Sequence, residues 1–598
     1  MTTGHSFHIP VMGIGFTIDS PVKVSQFGID SVISLVDDIL LEKLRKMYCG
    51  KFNLPYNEIT DKIDDFRALR ITSYLDTIQH IAQEKFEDFK TTTTETANSI
   101  KHYFSSLPDS SVFKQEFFQL TRNDFNLEDV KKWMKEHMPM GSIDVNIMTK
   151  VDKENYIKKK KLPAEFNDAH AALRGFAKSK LHSSVVLSAG MNPRLYSYLE
   201  QFDAFFPDSN GYIEKKIVLK VSDYRSALIQ GKFLAKKGIW VSEYRIESGL
   251  NCGGHAFATD GYLMGPILQQ FKDNRKQLIV TVHELLINAL QLKGRTIPKR
   301  PLPLKITAQG GVGTAEEHRF LLEEYQVDSV GWGSAFLLVP DATTVDKATL
   351  KKLVRAKEKD LYLSNISPLG IPFHSLKGNT KDIEKEIRIS HGKPGSPCPK
   401  KFVALNKDFK ENGLCTASRQ YQNKKLEELA TLNLNRSEYG YHYQKITEKS
   451  CTCVGLGTAA LLAYDLDTKI EGDGVSICPG PNMAYFSKIT SLQDMIRHIY
   501  GKTNIMDRTD RPNMFIKELF IYLDYLKDKI EDTRKRVTDR QKKYMLTFAA
   551  NLKDGIAYYH TIFDRLGADF KEVKSQLGHD LEKGSSILRS LEEEIATM

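Results

Sequence analysis

Two glycine-rich turns stand closest to chemistry in this chain of 598 residues. In ITAQGGVGTAEEHRFLLEEY an apolar strand ends at Gln309, and glycines fill positions 310, 311 and 313. Thr314 then precedes a helical stretch with Glu316 and Glu317 in its first turn. In DSVGWGSAFLL a second strand runs into Gly331, Gly333 and Ser334. Glycines let backbone N–H groups come close to a phosphate, and a helix N-terminus favours negative charge. Two such loops in succession predict a phosphate cradle from Gly310 to Ser334. Ordinary strand-to-helix turns are the plainer alternative.

A third segment, ESGLNCGGHA, follows the strand GIWVSEYRI and carries Gly253, Gly254 and His255. The glycine pair allows close backbone approach to a flat ligand, and histidine suits proton transfer near neutrality. Five cysteines fall in one later stretch: Cys398, Cys415, Cys451, Cys453 and Cys478, separated by sixteen, thirty-five, one and twenty-four residues. Thiols gathered in one irregular segment point to metal ligation by four of the five. The spacings match no standard signature, and buried thiols acting as small apolar residues are the other reading.

These residues need a scaffold. From His8 to Val36 short apolar runs alternate with turns: IPVMGIG, a helix over Pro21–Phe27, then SVISLV. The cadence returns at SIDVNIMTK and continues through SSVVLSAG, KKIVLKVS, GIWVSEYRI, LPLKITAQGG and DSVGWGSAFLL. Strands alternating with helix-length segments predict a parallel sheet that closes as an α/β, (β/α)₈ TIM-type barrel. Seven strands are plain and one is weak. The late strands carry both glycine loops, at the place where such barrels bind phosphate.

This pattern divides the chain into five stretches. Residues 1–49 hold the first barrel strands, and 50–140 form a helical insertion in an early βα loop, either a lid or a packing appendage. Residues 141–390 complete the barrel, 391–490 are rich in Cys, Gly and Pro, and 491–598 are helical. The helical tail reads as a docking surface, as a homodimer contact, or as plain structural support.

The order IPVMG, VNIM, the GGH loop, AQGGVGTAEE and GWGSAFL resembles the nitronate monooxygenase (2-nitropropane dioxygenase) family of FMN enzymes, to which FMN-dependent enoyl reductases are related. The resemblance covers roughly residues 8–48 and 141–375. It implies Met12 and Gly13 against the flavin, Asn146 at the isoalloxazine edge, and Lys220 near its N1–O2 side. It also implies Gly253 and Gly254 at the ring, Gly310, Gly311, Gly313, Gly333 and Ser334 at the phosphate, and His255 as the acid–base group. Asn251 and Cys252 stand where the family often has an acidic residue and alanine.

The activity this resemblance implies is that of an FMN-dependent oxidoreductase of a small organic substrate, bound between the flavin and the 50–140 helices. The alternatives are an enoyl-thioester reductase consuming NAD(P)H, a reductase fed by an electron-transfer protein through an iron–sulfur cluster, and a non-enzymatic flavoprotein acting through its helical tail. A redox flavin places an iron–sulfur cluster ahead of zinc at the cysteines.

The remaining totals exclude more than they specify. The net charge of +10 is spread over 85 basic and 75 acidic residues, which argues for solvated surface and against nucleic acid. With no long apolar window and no signal-peptide pattern, the expectation is a cytoplasmic protein with no membrane span.

Overall fold

Eight short strands carry the apolar runs: β1 Phe7–Ile9, β2 Asp30–Ser34, β3 Ile143–Ile147, β4 Ser184–Leu187, β5 Lys216–Val221, β6 Val241–Glu247, β7 Lys305–Gln309 and β8 Ser329–Gly331. In the computed structural model every neighbouring pair is parallel, and the order β1-β8-β7-β6-β5-β4-β3-β2 closes into a barrel. Closure is made at β1, where His8 pairs with Gly331 on one side and with Asp30 on the other. The structure describes residues 4–598 except 92–100, 102, 106, 109–110, 123–126, 189, 253–259, 509, 535–536 and 565–570.

Side chains alternate faces along each strand, which sorts β6 into two sets. Tyr244 points outward, its hydroxyl over Gly231, where a Cβ would collide with it. Glu243, Arg245 and Glu247 therefore point into the barrel. Glu243 accepts hydrogen bonds from Arg245 Nε at 2.8 Å and from Thr307 Oγ1 of β7 at 2.6 Å. Near the strand starts the interior holds Asp30, whose carboxyl is raised to about 6 by burial and by Asp144. One small cluster of Val32, Val186 and Val218 is apolar. A polar lumen of this kind is costly unless every charge is paired.

The outer ring explains the helical sequence. Helices α1 (Asp38–Lys51), α2 (Phe66–Thr91), α3 (Asp168–Lys178), α4 (Tyr224–Ala235), α5 (Met264–Leu292) and α6 (Ala315–Glu323) wrap the barrel. Four of the first helical turns are fixed by a side-chain cap or clamp: Asp37 accepts from Leu40, Asp223 from Ser226, Thr314 from Glu317, and Asp152 from Ala169. The helix expected over Pro21–Phe27 is Ser20–Val24 followed by a turn of 3₁₀ helix to Phe27.

The 50–140 stretch sits mainly outside the barrel wall. The α2 residues Tyr74 and Lys85 donate to the carbonyls of Ile18 and Val22, and Thr72 donates to Gly175 of α3. Phe86, Phe104, Phe117, Val130 and Met134 form a separate small core beside Phe27.

The cover over the strand ends comes from later in the chain. Helix α7 (Thr452–Ala463) is buried from Thr452 to Leu461, on every side. Such a helix carries no amphipathic period, which is why the sequence there shows none. It lies on the loop after β1, where Gly15 N donates to Leu456 O at 2.9 Å. A Cβ at Gly15 would be 3.0 Å from that carbonyl, so the approach needs glycine. Helices α8 (Met514–Thr533), α9 (Asp539–Asp564) and α10 (Lys571–Thr597) complete the fold as a bundle. Among the described residues no helix is long and apolar enough to cross a membrane.

Candidate active site at the barrel mouth

The C-terminal ends of β5, β6 and β7 deliver one long polar side chain each: Lys220, Glu247 and Gln309. Lys220 Nζ lies 2.7 Å from Glu247 Oε1. The same oxygen accepts from Gln309 Nε2 at 2.6 Å and from Asn251 Nδ2 at 2.7 Å. The Lys220 side chain is 9% exposed and that of Glu247 4%, so this ion pair is nearly dry. A buried carboxylate is tolerated when several donors converge on it, as three do here. Glu247 and Gln309 are visible in the sequence only as strand ends. Nothing local marks them as partners.

The chain leading to the GGH loop is clamped on several sides. His374 Nε2, from the hairpin Leu361–Ser364/Phe373–Leu376, donates to Gly249 O at 2.8 Å. Glu518 of α8 accepts from Met264 N at 2.8 Å and lies near Ser248 and Gly249, whose donors favour its charged form. Burial pushes the Glu518 carboxyl up to about 7 against those donors. Cys252 Sγ donates to Cys478 O at 3.3 Å, and burial raises its thiol pKa well above the ordinary range. Gly253, Gly254 and His255 lie outside the described residues.

Around the glycine loops the chain packs tightly on itself. Gly310 and Gly311 have φ of 105° and 90°, a region that favours glycine. A Cβ at Gly311 would run into Leu250, one at Gly313 would be 2.8 Å from the Arg511 guanidinium, and one at Gly333 would be 3.0 Å from Cys252 Cβ. The loop carbonyls are also taken up. Asn482 donates to Gly311 and Val312, Arg511 to Gly311 at 2.7 Å, and His498 to Gly313 at 3.0 Å. Arg511 also grips Glu317 with two bonds of 2.7 and 2.9 Å, and Glu317 in turn accepts from Gly313 N at 2.9 Å. Thus Glu317, expected only as a charge on a helix N-terminus, is the anchor of Arg511. On the side a Cβ would occupy, these glycines serve chain packing.

The other expected residues are gathered at the same mouth. Met12 is fully buried, with its sulfur 3.7 Å from the Cβ position of Gly333. Gly13 has φ 67° and abuts Phe16 and Leu456. Asn146 Nδ2 donates to Val186 O at 3.1 Å. Ser334 is buried against Gly480, whose Cβ would be 2.7 Å from its hydroxyl. Tested against FMN, this donor set suits a flavin: an ammonium, two amides and a glycine-lined helix start with Arg511 beside it. Gln309 Oε1 and His8 Nε2 are both buried without a regular hydrogen bond and interact with each other, so neither atom points to a ligand.

The cysteines divide. Cys398, Cys415, Cys451 and Cys453 are buried together, whereas Cys478 belongs to the mouth beside Cys252. Proximity in sequence groups all five, and the fold does not. The Cys398 and Cys415 thiols influence each other's titration, as do those of Cys451 and Cys453. Among the described residues no group of three or more His, Cys, Asp or Glu side chains is placed to hold a metal ion, so the four-cysteine centre expected from the sequence is not formed by them.

Comparison with known proteins adds little at the level of sequence. No family model matches the chain, and no curated protein matches it. Solved structures similar to it include FabK from Thermotoga maritima, at 12% identity and TM-score 0.29 over 64% of this chain and 83% of that one. The enoyl reductase domain of MlnA from the macrolactin biosynthesis cluster of Bacillus amyloliquefaciens aligns at 12% identity and TM-score 0.32, over 69% and 89%. Nitroalkane oxidase from Streptomyces ansochromogenes aligns at 8% identity and TM-score 0.33, over 83% and 96%. The barrel itself rests on the strand pairings of this chain, not on these likenesses.

Proposed function

We propose that the chain is an oxidoreductase that holds FMN at the C-terminal mouth of its barrel and acts there on a small organic substrate, as nitronate monooxygenases do. One observation carries the reading: a buried ammonium–carboxylate–amide network and two glycine loops converge on the same strand ends. When bound, FMN supplies two-electron transfer between partners that reach its ring in turn.

The chain's own residues divide the remaining work. Lys220 and Asn146 would hold the ring edge, with Glu247 fixing the ammonium. Met12 and Gly13 would pack against the ring, and Gly253 and Gly254 would let the backbone approach it. Gly310, Gly311, Gly313, Gly333 and Ser334 would meet the phosphate at the start of α6. His255 would remove a carbon-bound proton from an activated substrate. Because α7 and residues 478–486 lie over the strand ends, they would set substrate access in place of the 50–140 helices.

Lys220→Met tests the ring half of the site. The expected result is FMN affinity weakened by about tenfold or more, since a charged hydrogen bond is worth about 1.5–3 kcal/mol. His255→Ala is expected to keep FMN and lose turnover of a nitronate such as propyl-2-nitronate by about 100-fold or more. Unchanged turnover with full flavin occupancy would remove His255 from the chemistry.

A further inference from the structure

A charged cavity lies at the rim of the barrel, far from the glycine loops. Its volume is about 620 Å³, within the range of small-molecule sites. One wall is the β3–α3 loop, with Lys153 and Glu154, and the other is the covering segment, with Lys401, Lys410 and Arg419. In the closed ring of strands β3 stands four places from β7 in either direction. The cavity is therefore across the barrel from Gly310 and Gly311.

Separate stretches of chain place these cations. Lys153 Nζ is held by Asn155 Oδ1 at 2.7 Å and stands 3.7 Å from Asp168. Lys410 sits on a turn that Asn406 and Leu414 close by exchanging backbone hydrogen bonds of 3.1 and 2.7 Å. That turn needs Gly413, which has φ 78° and whose Cβ would run into Ala404 O. Arg419 starts the helix Arg419–Ala430, and its N–H is tied to Ser396 O at 2.8 Å. Among the described residues on the walls Glu154 is the one acid, and it is already occupied, by Lys407 Nζ at 2.9 Å and by Lys161. Among the described residues no carboxylate forms an ion pair with Lys401, Lys410 or Arg419.

Like charges gathered on a concave surface repel one another, and the walls focus their field on whatever enters. The floor is apolar and buried, made by Ala404, Leu414, Cys398 and Cys415, so these charges are screened less than on an open surface. Cations arriving from separate walls suit phosphate, whose oxygens accept in tetrahedral directions, better than one planar carboxylate. The Arg419 fork can take two of those oxygens at once. We propose that this cavity binds a small molecule carrying a diphosphate, with Lys401, Lys410 and Arg419 on its oxygens and Lys153 at the edge. Three cations that lack an acid partner then gain one. The site is separate from the one proposed for FMN, and the proposal stands whether or not the barrel binds flavin.

The test titrates the full chain calorimetrically with inorganic pyrophosphate and, as the organic arm, with ADP, each with and without added FMN. The expected result is one site per chain, with affinity that falls as salt is raised and is unchanged by FMN. Lys401→Gln and Arg419→Gln should each weaken binding by about tenfold, and together by about 100-fold. Both side chains are exposed, so these variants keep the fold. Lys299→Gln with Arg300→Gln removes the same charge from the loop before β7, at the other end of the strands, and should leave binding unchanged. Tighter binding of ADP supports an organic diphosphate whose body rests on the apolar floor, and tighter binding of pyrophosphate supports the inorganic ion. Citrate, which offers charge as carboxylates, should bind more weakly than either. No binding of either phosphate compound at millimolar concentration, binding that survives the double variant or is displaced by FMN, or citrate binding equally well overturns the proposal.

Discussion

The barrel mouth and the cysteine segment solve opposite problems. At the mouth regular strands fix the positions, and the charges are already balanced by the chain: Lys220 on Glu247, Arg511 on Glu317. In the cysteine segment irregular backbone fixes the positions, and Cys398, Cys415, Cys451 and Cys453 are buried as small apolar residues would be. A site that neutralises itself is suited to hold a neutral ring or a substrate. The difference teaches that one region is set by paired charges and the other by burial, although the second lies on the first.

Their junction is the place to break the comparison. Lys400 Nζ lies 2.6 Å from Asp37 Oδ2, at the start of α1, and 2.9 Å from Glu471 Oε1, in the covering segment, and all three side chains are at most 1% exposed. Lys400→Met leaves two buried carboxylates without this cation, Glu471 retaining only Lys43. The expected loss is about 3–5 kcal/mol of stability in urea unfolding, with the cover separating from the barrel. A loss below about 1 kcal/mol would mean the two regions do not depend on each other.

A smaller effect sharpens the role of α8. The Glu518 carboxyl is raised to about 7 in the folded chain from an ordinary 4.5. The fold therefore favours its protonated form. That stability is fully present below about pH 4.5 and is lost as pH rises to about 7. Between pH 5 and 8 the wild-type chain should lose up to about 3 kcal/mol relative to Glu518→Gln, measured by unfolding of both at each pH. Parallel pH profiles would show that the clamp on Ser248 and Gly249 is not made by a protonated acid.

The smallest expected effect concerns the helix start beneath the glycine loop. Thr314 Oγ1 accepts from Glu317 N at 3.2 Å. Thr314→Ala should cost about 1 kcal/mol of thermal stability, as loss of such a cap does. A cost several times larger would assign Thr314 a second role in holding Arg511 through Glu317.

Much of the barrel is legible in the sequence because it obeys short rules. A buried strand shows as an apolar run, and Thr314 shows as a cap before two acids. Residues joined across long stretches of chain leave no local trace. Arg511 meets Glu317, Asn482 meets Gly311, and Glu518 meets Met264, each over 170 residues or more. Lys400 looks like part of a Cys-Pro-Lys run and is the core of an ion triad. Helix α7 escapes a sequence reading for a physical reason: with every face buried it has no period to read. Cys478 groups with the other cysteines by proximity in sequence, which the fold does not respect.

The central claim is that the strand-end mouth is a flavin site, and an FMN titration of the full chain under anaerobic conditions tests it most directly. The predicted result is saturation at one FMN per chain, with quenched flavin fluorescence, and affinity that falls by about tenfold or more in Lys220→Met. A chain that remains colourless through reconstitution, or one that binds FMN equally well with Lys220→Met and Gly333→Val, would contradict it.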